Sequence, residues 1–218
     1  MRLGRLLVVV SACLLGRAFI GVPRAEPRVE ARAGQGPARQ GGWPGDGVAR
    51  LVAAAEAQTG HRVRYDGAYR RIPYPMGDVP PDVGVCTDVV IRAYRVVGID
   101  LQQRVHEDMR AAFAAYPRAW GLARPDPNID HRRVPNLQVF FRRRGVARPP
   151  STDPDAYQAG DVVTWRLPGN LPHVGLVVAR RSADGRRPLI VHNIGRGPEV
   201  EDMLFAFPVT GQYRYRGE

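Results

Sequence analysis

Three side chains in this sequence have the types and the order that nucleophilic catalysis by a thiol requires. Cys86 opens the segment CTDVVIRAYRVVG, in which Val89, Val90, Ala93, Tyr94 and Val97 recur on one face at helical spacing and Gly98 ends the pattern. A thiol attacks as thiolate, so its ordinary pKa of about 8.5 has to fall. The partial positive charge of a helix N-terminus lowers it, and a neighbouring imidazole lowers it further. Two histidines are candidates for that imidazole: His173 opens the β-rich run HVGLVVA, and His192 closes the run PLIV. Between them, RRSADGRR carries Asp184-Gly185, a signal for a tight reversal, so the runs are expected to pair as a hairpin with both histidines toward its open end. One histidine can then act as base while the other orients it. A one-residue slip in register would present Asn193 instead, which leaves it as the alternative orienter. Taken singly each residue has a plainer reading, the cysteine as a small buried hydrophobe and a histidine at a strand end as a structural group.

Positioning these groups takes a helical half and a sheet half. A first helix is expected over GDGVARLVAAAEAQTG, with Asp46 as cap, Val48, Leu51, Val52 and Ala55 on one face and Gly60 as its stop. The loop RRIPYPMGDVPPDVG is too rich in proline for regular structure and delivers the chain to the cysteine helix. A third helix is expected over roughly 101–116, and Asn136 is placed to cap a fourth through NLQVFFRRRG. From residue 156 the short runs GDVVTW, HVGLVVA, PLIVHNIG, MLFAFPV and QYRYR read as strands separated by Gly, Pro and Asp turns. Helices followed by an antiparallel sheet make an α+β domain, assigned here to residues 45–218.

The chain has 218 residues, 44% of them hydrophobic and 24% charged, with a formal net charge of +11; this suits one globular domain plus an export segment. No lysine occurs, so every one of the 32 basic side chains is arginine. The surface should attract polyanions, and anionic envelope polymers are the expected class. Nucleic acid is not, because no basic helix interleaved with aromatics and no Cys/His finger spacing occurs. Arg2 and Arg5 followed by the apolar run Leu6 to Leu15 read as a secretory signal over residues 1–25, too short to span a bilayer. VSAC, ending at Cys13, resembles the acylated lipobox of bacterial lipoproteins, so a lipid anchor is the alternative fate of that segment. Residues 26–44, rich in Gly, Pro, Ala and Arg, read as a flexible tether. Loss of the signal leaves Cys86 as the single thiol of an exported, monomeric protein, where an internal disulfide is excluded.

The segment PDPNIDHRR spells D-x-N-x-D through Asp126, Asn128 and Asp130, but His131 stands where a calcium loop needs Gly and Leu137 where it needs Glu. No metal and no cofactor is expected. Turn-forming Asp and Asn beside solvated arginines are the plain reading. The functional alternative is substrate recognition, with Arg132 or Arg133 on a carboxylate and Asp130 on an ammonium. His106 and Asp108 in VHEDM read as surface residues of a helix.

The order IPYPMG, GVCTD, AGDVV, HVGLV, VHN, with twelve residues from Tyr74 to Cys86, resembles the NlpC-type cell-wall cysteine peptidases of the papain-like superfamily. Over residues 46–216, VHEDM, NIDHRRVPNL, VHNIG and TGQYRY are similar to a bacterial family of unknown function numbered 1287. The resemblance implies a papain-like fold with the Cys-bearing helix packed on the sheet. It further implies Cys86 as nucleophile, His173 as general base and acid, His192 as orienter, and Tyr74 lining the acyl-side pocket. The implied reaction is hydrolysis of an amide in peptidoglycan stem peptides. The pattern departs at Val85, Thr87 and Asp88, where those peptidases carry Asp before the cysteine and Ser-Gly after it. Asp88 and Asn193 join the substrate-binding candidates. Rival readings keep the same residues for a lipid or other amide, or make the protein an inert wall binder.

Overall fold

The computed structural model describes Trp43 and residues 45–217. The expected signal over 1–25, with Cys13, and all of the 26–44 tether except Trp43 lie outside the described residues. Four helices precede most of the sheet: α1 Gly47–Ala57, α2 Cys86–Val96, α3 Leu101–Ala112 and α4 Val134–Arg143. Two residue pairs, β1 Arg64–Tyr65 and β2 Val83–Gly84, run parallel just ahead of α2. The strands β3 Ala147–Arg148, β4 Val162–Leu167, β5 Leu171–Arg181, β6 Pro188–Asn193, β7 Pro198–Glu201 and β8 Val209–Tyr213 form an antiparallel sheet in the order β3-β8-β4-β5-β6-β7. The fold is therefore α+β.

The helices form where the apolar spacing places them, and their ends have local causes. Val85 enters α2 in extended conformation, and the Asp88 carboxylate accepts its N–H at 2.7 Å, which satisfies a donor at the helix start. Gly98 takes φ 82° past the other end, where the Ile99 N–H reaches back to the Tyr94 carbonyl at 3.0 Å. Asp100 caps α3 by accepting the Gln102 N–H at 3.0 Å. Two expected caps fail. Asp46 makes no side-chain bond to α1, and α4 starts two residues before Asn136, with Pro135 in its first turn. The Asn136 amide donates instead to the Asp130 carbonyl at 3.0 Å.

Strand alternation divides the core in two. Val162, Val174, Leu176, Val178 and Val191 face the helices and meet Leu51, Val90, Tyr94, Leu137 and Phe141. Val163, Trp165, Val177 and Ile190 face away and are covered by Tyr157, Met203 and Leu204. The expected strand MLFAFPV is this cover. It is a turn, closed by Ala206 N–H on the Met203 carbonyl at 3.0 Å, whose apolar residues drop onto the sheet rather than extend it. β7 was not foreseen, because PEVE has too few apolar positions to alternate.

Candidate active site

The β5–β6 hairpin sets two imidazoles side by side. Register pairs Trp165 with His173 across β4–β5, and Gly175 with His192 across β5–β6. His192 thus stands opposite a residue with no side chain, and its ring leans over Gly175 to reach His173, two residues along β5. The space is committed: a Cβ on Gly175 would lie 2.6 Å from Ile190 Cγ2 and 3.1 Å from His192 Cβ. The two rings meet edge to face, with His173 Nε2 at 2.9 Å from His192 Nδ1. His192 Nε2 in turn lies 2.7 Å from Glu201 Oε2 on the neighbouring strand β7.

This chain of contacts fixes the tautomers when Glu201 is ionised. A carboxylate only accepts, so the His192 Nε2–H donates to it and His192 Nδ1 keeps a lone pair. That lone pair accepts the Nε2–H of His173, which leaves His173 Nδ1 as a bare acceptor, the form a general base requires. Arg196 holds Glu201 from outside, bonding Glu201 Oε1 and also Glu199 at 2.8 Å.

Cys86 is the first residue of α2 and 4% exposed. Its thiol meets the backbone of Val174, the residue after His173, together with the Tyr65 hydroxyl and the Thr87 backbone. No hydrogen bond joins the sulfur to either histidine. Burial pushes the thiol pKa up to about 11 against those favourable contacts. Burial, then the His192 charge, brings His173 down to about 3, and burial also lowers His192. In this closed arrangement thiol and imidazole are both neutral, and both rings are 1% exposed.

A family model described as "Domain of unknown function (DUF1287)" matches residues 52–215, a span containing Cys86, His173, His192 and Glu201. The chain belongs to the DUF1287 family. Uncharacterized protein YijF of Escherichia coli (strain K12) is 53% identical to it over 165 residues, covering 76% of this chain and 80% of that protein.

The other candidates in this DUF1287 chain fall into separate places. Asp88 and Arg132 bind each other: Arg132 Nε and Nη2 reach the two Asp88 oxygens at 2.9 Å each, with side-chain exposures of 2% and 3%. Arg132 also donates to the Ala68 and Asp66 carbonyls at 3.3 and 3.1 Å. The pair anchors loop to helix, and neither partner faces solvent to take a substrate group. Asp130 is buried as well. Its carboxyl is pushed up to about 6 by burial, and Oδ1 has no hydrogen-bond partner, the nearest cation being Arg133 at 3.7 Å. Arg133 lies over the Trp120 ring, 4.1 Å from its centroid.

Tyr74 packs edge-on against His106 of α3, with its loop tied down by Gly77 N–H to Gln102 and Met76 N–H to Asp100. His106 is thus in a contact rather than free on the surface. Asn193 accepts the Gly195 N–H at 2.9 Å and makes no hydrogen bond to the His173 ring, which His192 does. The hydroxyl at the thiol belongs to Tyr65, for which RVRYDG gives no sequence signal, and Glu201 was missed along with β7. Among the described residues no group of three His, Cys, Asp or Glu side chains converges as metal ligands would, and no helix is long and apolar enough to cross a membrane.

Proposed function

We propose that this DUF1287 domain is a thiol hydrolase of papain-like, NlpC-type fold that cleaves an amide bond in peptidoglycan stem peptides. The observation that carries the reading is the Glu201–His192–His173 relay. It leaves His173 Nδ1 unprotonated, on the residue that precedes Val174, whose backbone meets the Cys86 thiol. A purely structural role for two buried histidines does not call for a carboxylate-terminated relay that leaves a free imidazole nitrogen on the residue next to the thiol's backbone contact.

In the proposed reaction His173 Nδ1 takes the Cys86 proton as the sulfur attacks the carbonyl carbon. The Cys86 N–H, at a helix start where no intrahelical acceptor exists, stabilises the oxyanion, a contribution of about 3 kcal/mol for one such donor. Collapse of the tetrahedral adduct breaks the C–N bond, and His173 returns the proton to the departing amine. Water, deprotonated by His173, then attacks the thioester, giving the acid and restoring the thiol. In the unliganded arrangement the His173 ring lies on the sheet face of Trp165 and Val177, opposite the face that Val174 shares with Cys86, so the reaction requires the start of β5 to turn that ring toward the sulfur on substrate entry. Export to the periplasm or envelope by the 1–25 signal, or a lipid anchor at Cys13, puts the domain where this substrate is.

Digestion of purified sacculi with the mature chain tests the reading. New free amines at defined stem-peptide bonds, absent with Cys86→Ala and His173→Ala, are expected. Intact sacculi together with turnover of a lipid amide or thioester would move the reaction to another acyl group. Cosedimentation with sacculi by both wild type and Cys86→Ala, without any turnover, would make the protein a binder.

A further inference from the structure

A cavity of about 860 Å³ opens between the loop carrying Tyr69 and Arg71 and the segment Gly121–Asn128. Its charged lining consists of Arg71, Arg124 and Asp126. The carboxylate is already engaged, since Asp126 Oδ1 accepts the Asn128 backbone N–H at 2.9 Å and its side-chain amide at 2.7 Å, and the Tyr69 hydroxyl bonds the same group. The two guanidinium groups, by contrast, have no ion pair and no hydrogen bond among the described residues, and both are exposed. In a chain whose arginines commonly pair with carboxylates (Arg64, Arg70, Arg92, Arg95, Arg132 and Arg143 all do), two unpaired ones on the facing walls of a cavity outnumber its single carboxylate, Asp126, and leave the lining with a net positive charge. An exposed aromatic, Tyr69, stands on the wall that carries Arg71 and gives an apolar surface beside the charges.

The cavity walls are also fixed to the thiol's helix. Arg132, four residues past Asn128, grips Asp88 in the first turn of α2 and the Asp66 and Ala68 carbonyls just before Tyr69. Asn128 ties the two walls together, accepting the Ile72 N–H at 3.0 Å and donating to the Tyr69 hydroxyl at 3.1 Å. A ligand held here is therefore registered against the helix that starts at Cys86.

We propose that the cavity is a subsite for a carboxylate-bearing peptide, with Arg71 and Arg124 binding the carboxylate. The proposal rests on the hydrolase reading for its role, because it names the acidic part of the scissile substrate, but not for the binding itself.

The test is isothermal titration of the mature chain, as Cys86→Ala so that nothing turns over, with N-acetyl-alanyl-glutamate and with its diamide. Binding of the acid, about tenfold or more tighter than the diamide, weakening as salt rises and lost in Arg71→Ala/Arg124→Ala, is the expected result. Equal binding of acid and diamide, no binding of either, or binding of the acid that the double substitution leaves intact would overturn it. The two readings fail separately. Carboxylate binding by a protein that cleaves nothing removes the hydrolase and keeps the subsite, whereas sacculus cleavage with an unchanged KM in the double variant removes the subsite and keeps the hydrolase. Circular dichroism on the double variant, whose substituted side chains are exposed, separates loss of binding from loss of fold.

Discussion

His192 stands between a base and a carboxylate, with Nδ1 at 2.9 Å from His173 and Nε2 at 2.7 Å from Glu201, and because Glu201 lies on the next strand, three strands share one proton arrangement. The direction of that arrangement is set at its outer end, where the Arg196 guanidinium sits against the Glu201 carboxylate. Both histidines are therefore expected as Nε2–H tautomers. Imidazole nitrogen spectra of labelled protein near neutral pH should show this directly. In Glu201→Leu the acceptor is gone, His192 loses its preference, and the Nε2–H signature of His173 should weaken. Loss of the group that fixes a catalytic imidazole's tautomer costs up to about 10⁴-fold in a Ser-His-Asp triad, so amide cleavage by Glu201→Leu should fall by about 10-fold or more, with the fold retained because the residue is at the sheet edge. Unaltered tautomers in the variant would show that Glu201 orients nothing.

The buried pair Asp88–Arg132 makes a stability prediction independent of any activity. Removing only the guanidinium, as in Arg132→Met, leaves a carboxylate at 3% exposure with the Val85 N–H as its remaining partner. Breaking a buried pair from one side costs about 3–5 kcal/mol, and the Asp66 and Ala68 carbonyls lose donors as well. Urea denaturation should read that loss in Arg132→Met. Asp88→Asn/Arg132→Met should recover part of it, since the charge left alone is then gone. A single variant as stable as wild type would mean that water reaches the carboxylate.

How much of this was legible in the sequence follows from the range of the interactions. The cysteine helix, its Gly98 stop and the hairpin around Asp184-Gly185, where Gly185 takes φ 70°, are local matters of periodicity and turn chemistry, and they stand where the sequence puts them. Strand register likewise sets His192, and not Asn193, against the His173 ring. What sequence does not carry is which distant charges cancel. Asp88 and Arg132 are 44 residues apart, and each looks available until the fold joins them. Glu201 was hidden for a different reason: β7 is polar and edge-lying, so it lacks the alternation by which strands are recognised. MLFAFPV erred the other way, an apolar run that buries its side chains from a turn.

Burial of titrating groups shapes the pH dependence of stability. His173 and His131 are both brought down from 6.5 to about 3, chiefly by burial. Between those values the unfolded chain binds protons that the native one refuses, so the stabilisation is complete above about 6.5 and is lost as pH falls toward 3. Asp130, raised from 3.8 to about 6 by burial, acts in the opposite sense: the native state holds its proton through that interval and loses stability as pH rises across it, offsetting one histidine. Cys86, raised from 9.0 to about 11, costs stability as pH climbs between those values, because the unfolded thiol ionises first. Thermal unfolding should therefore show a plateau between about 6.5 and 9. His131→Gln should flatten its acid side by up to one proton, and Cys86→Ala its alkaline side. Unchanged limbs in both variants would remove burial as the cause.

The closed thiol sets an expectation opposite to that of an exposed, activated cysteine. With burial holding its pKa near 11 and 4% of its surface accessible, Cys86 in the unliganded protein should react slowly with a small haloacetamide at pH 7 and faster as pH approaches 11. Tyr65, on the two-residue strand β1, bonds the sulfur with its hydroxyl and is itself partly exposed, so it is a side chain that reaches from the thiol to solvent. Tyr65→Ala should therefore speed labelling at pH 7 by about tenfold or more, as access is gained and the thiolate becomes better hydrated. The effect should be absent in the denatured protein, where Cys86 is equally open in both variants. If wild type already labels at the rate of a free thiol and Tyr65→Ala changes nothing, the site is open in solution and Tyr65 does not cover it.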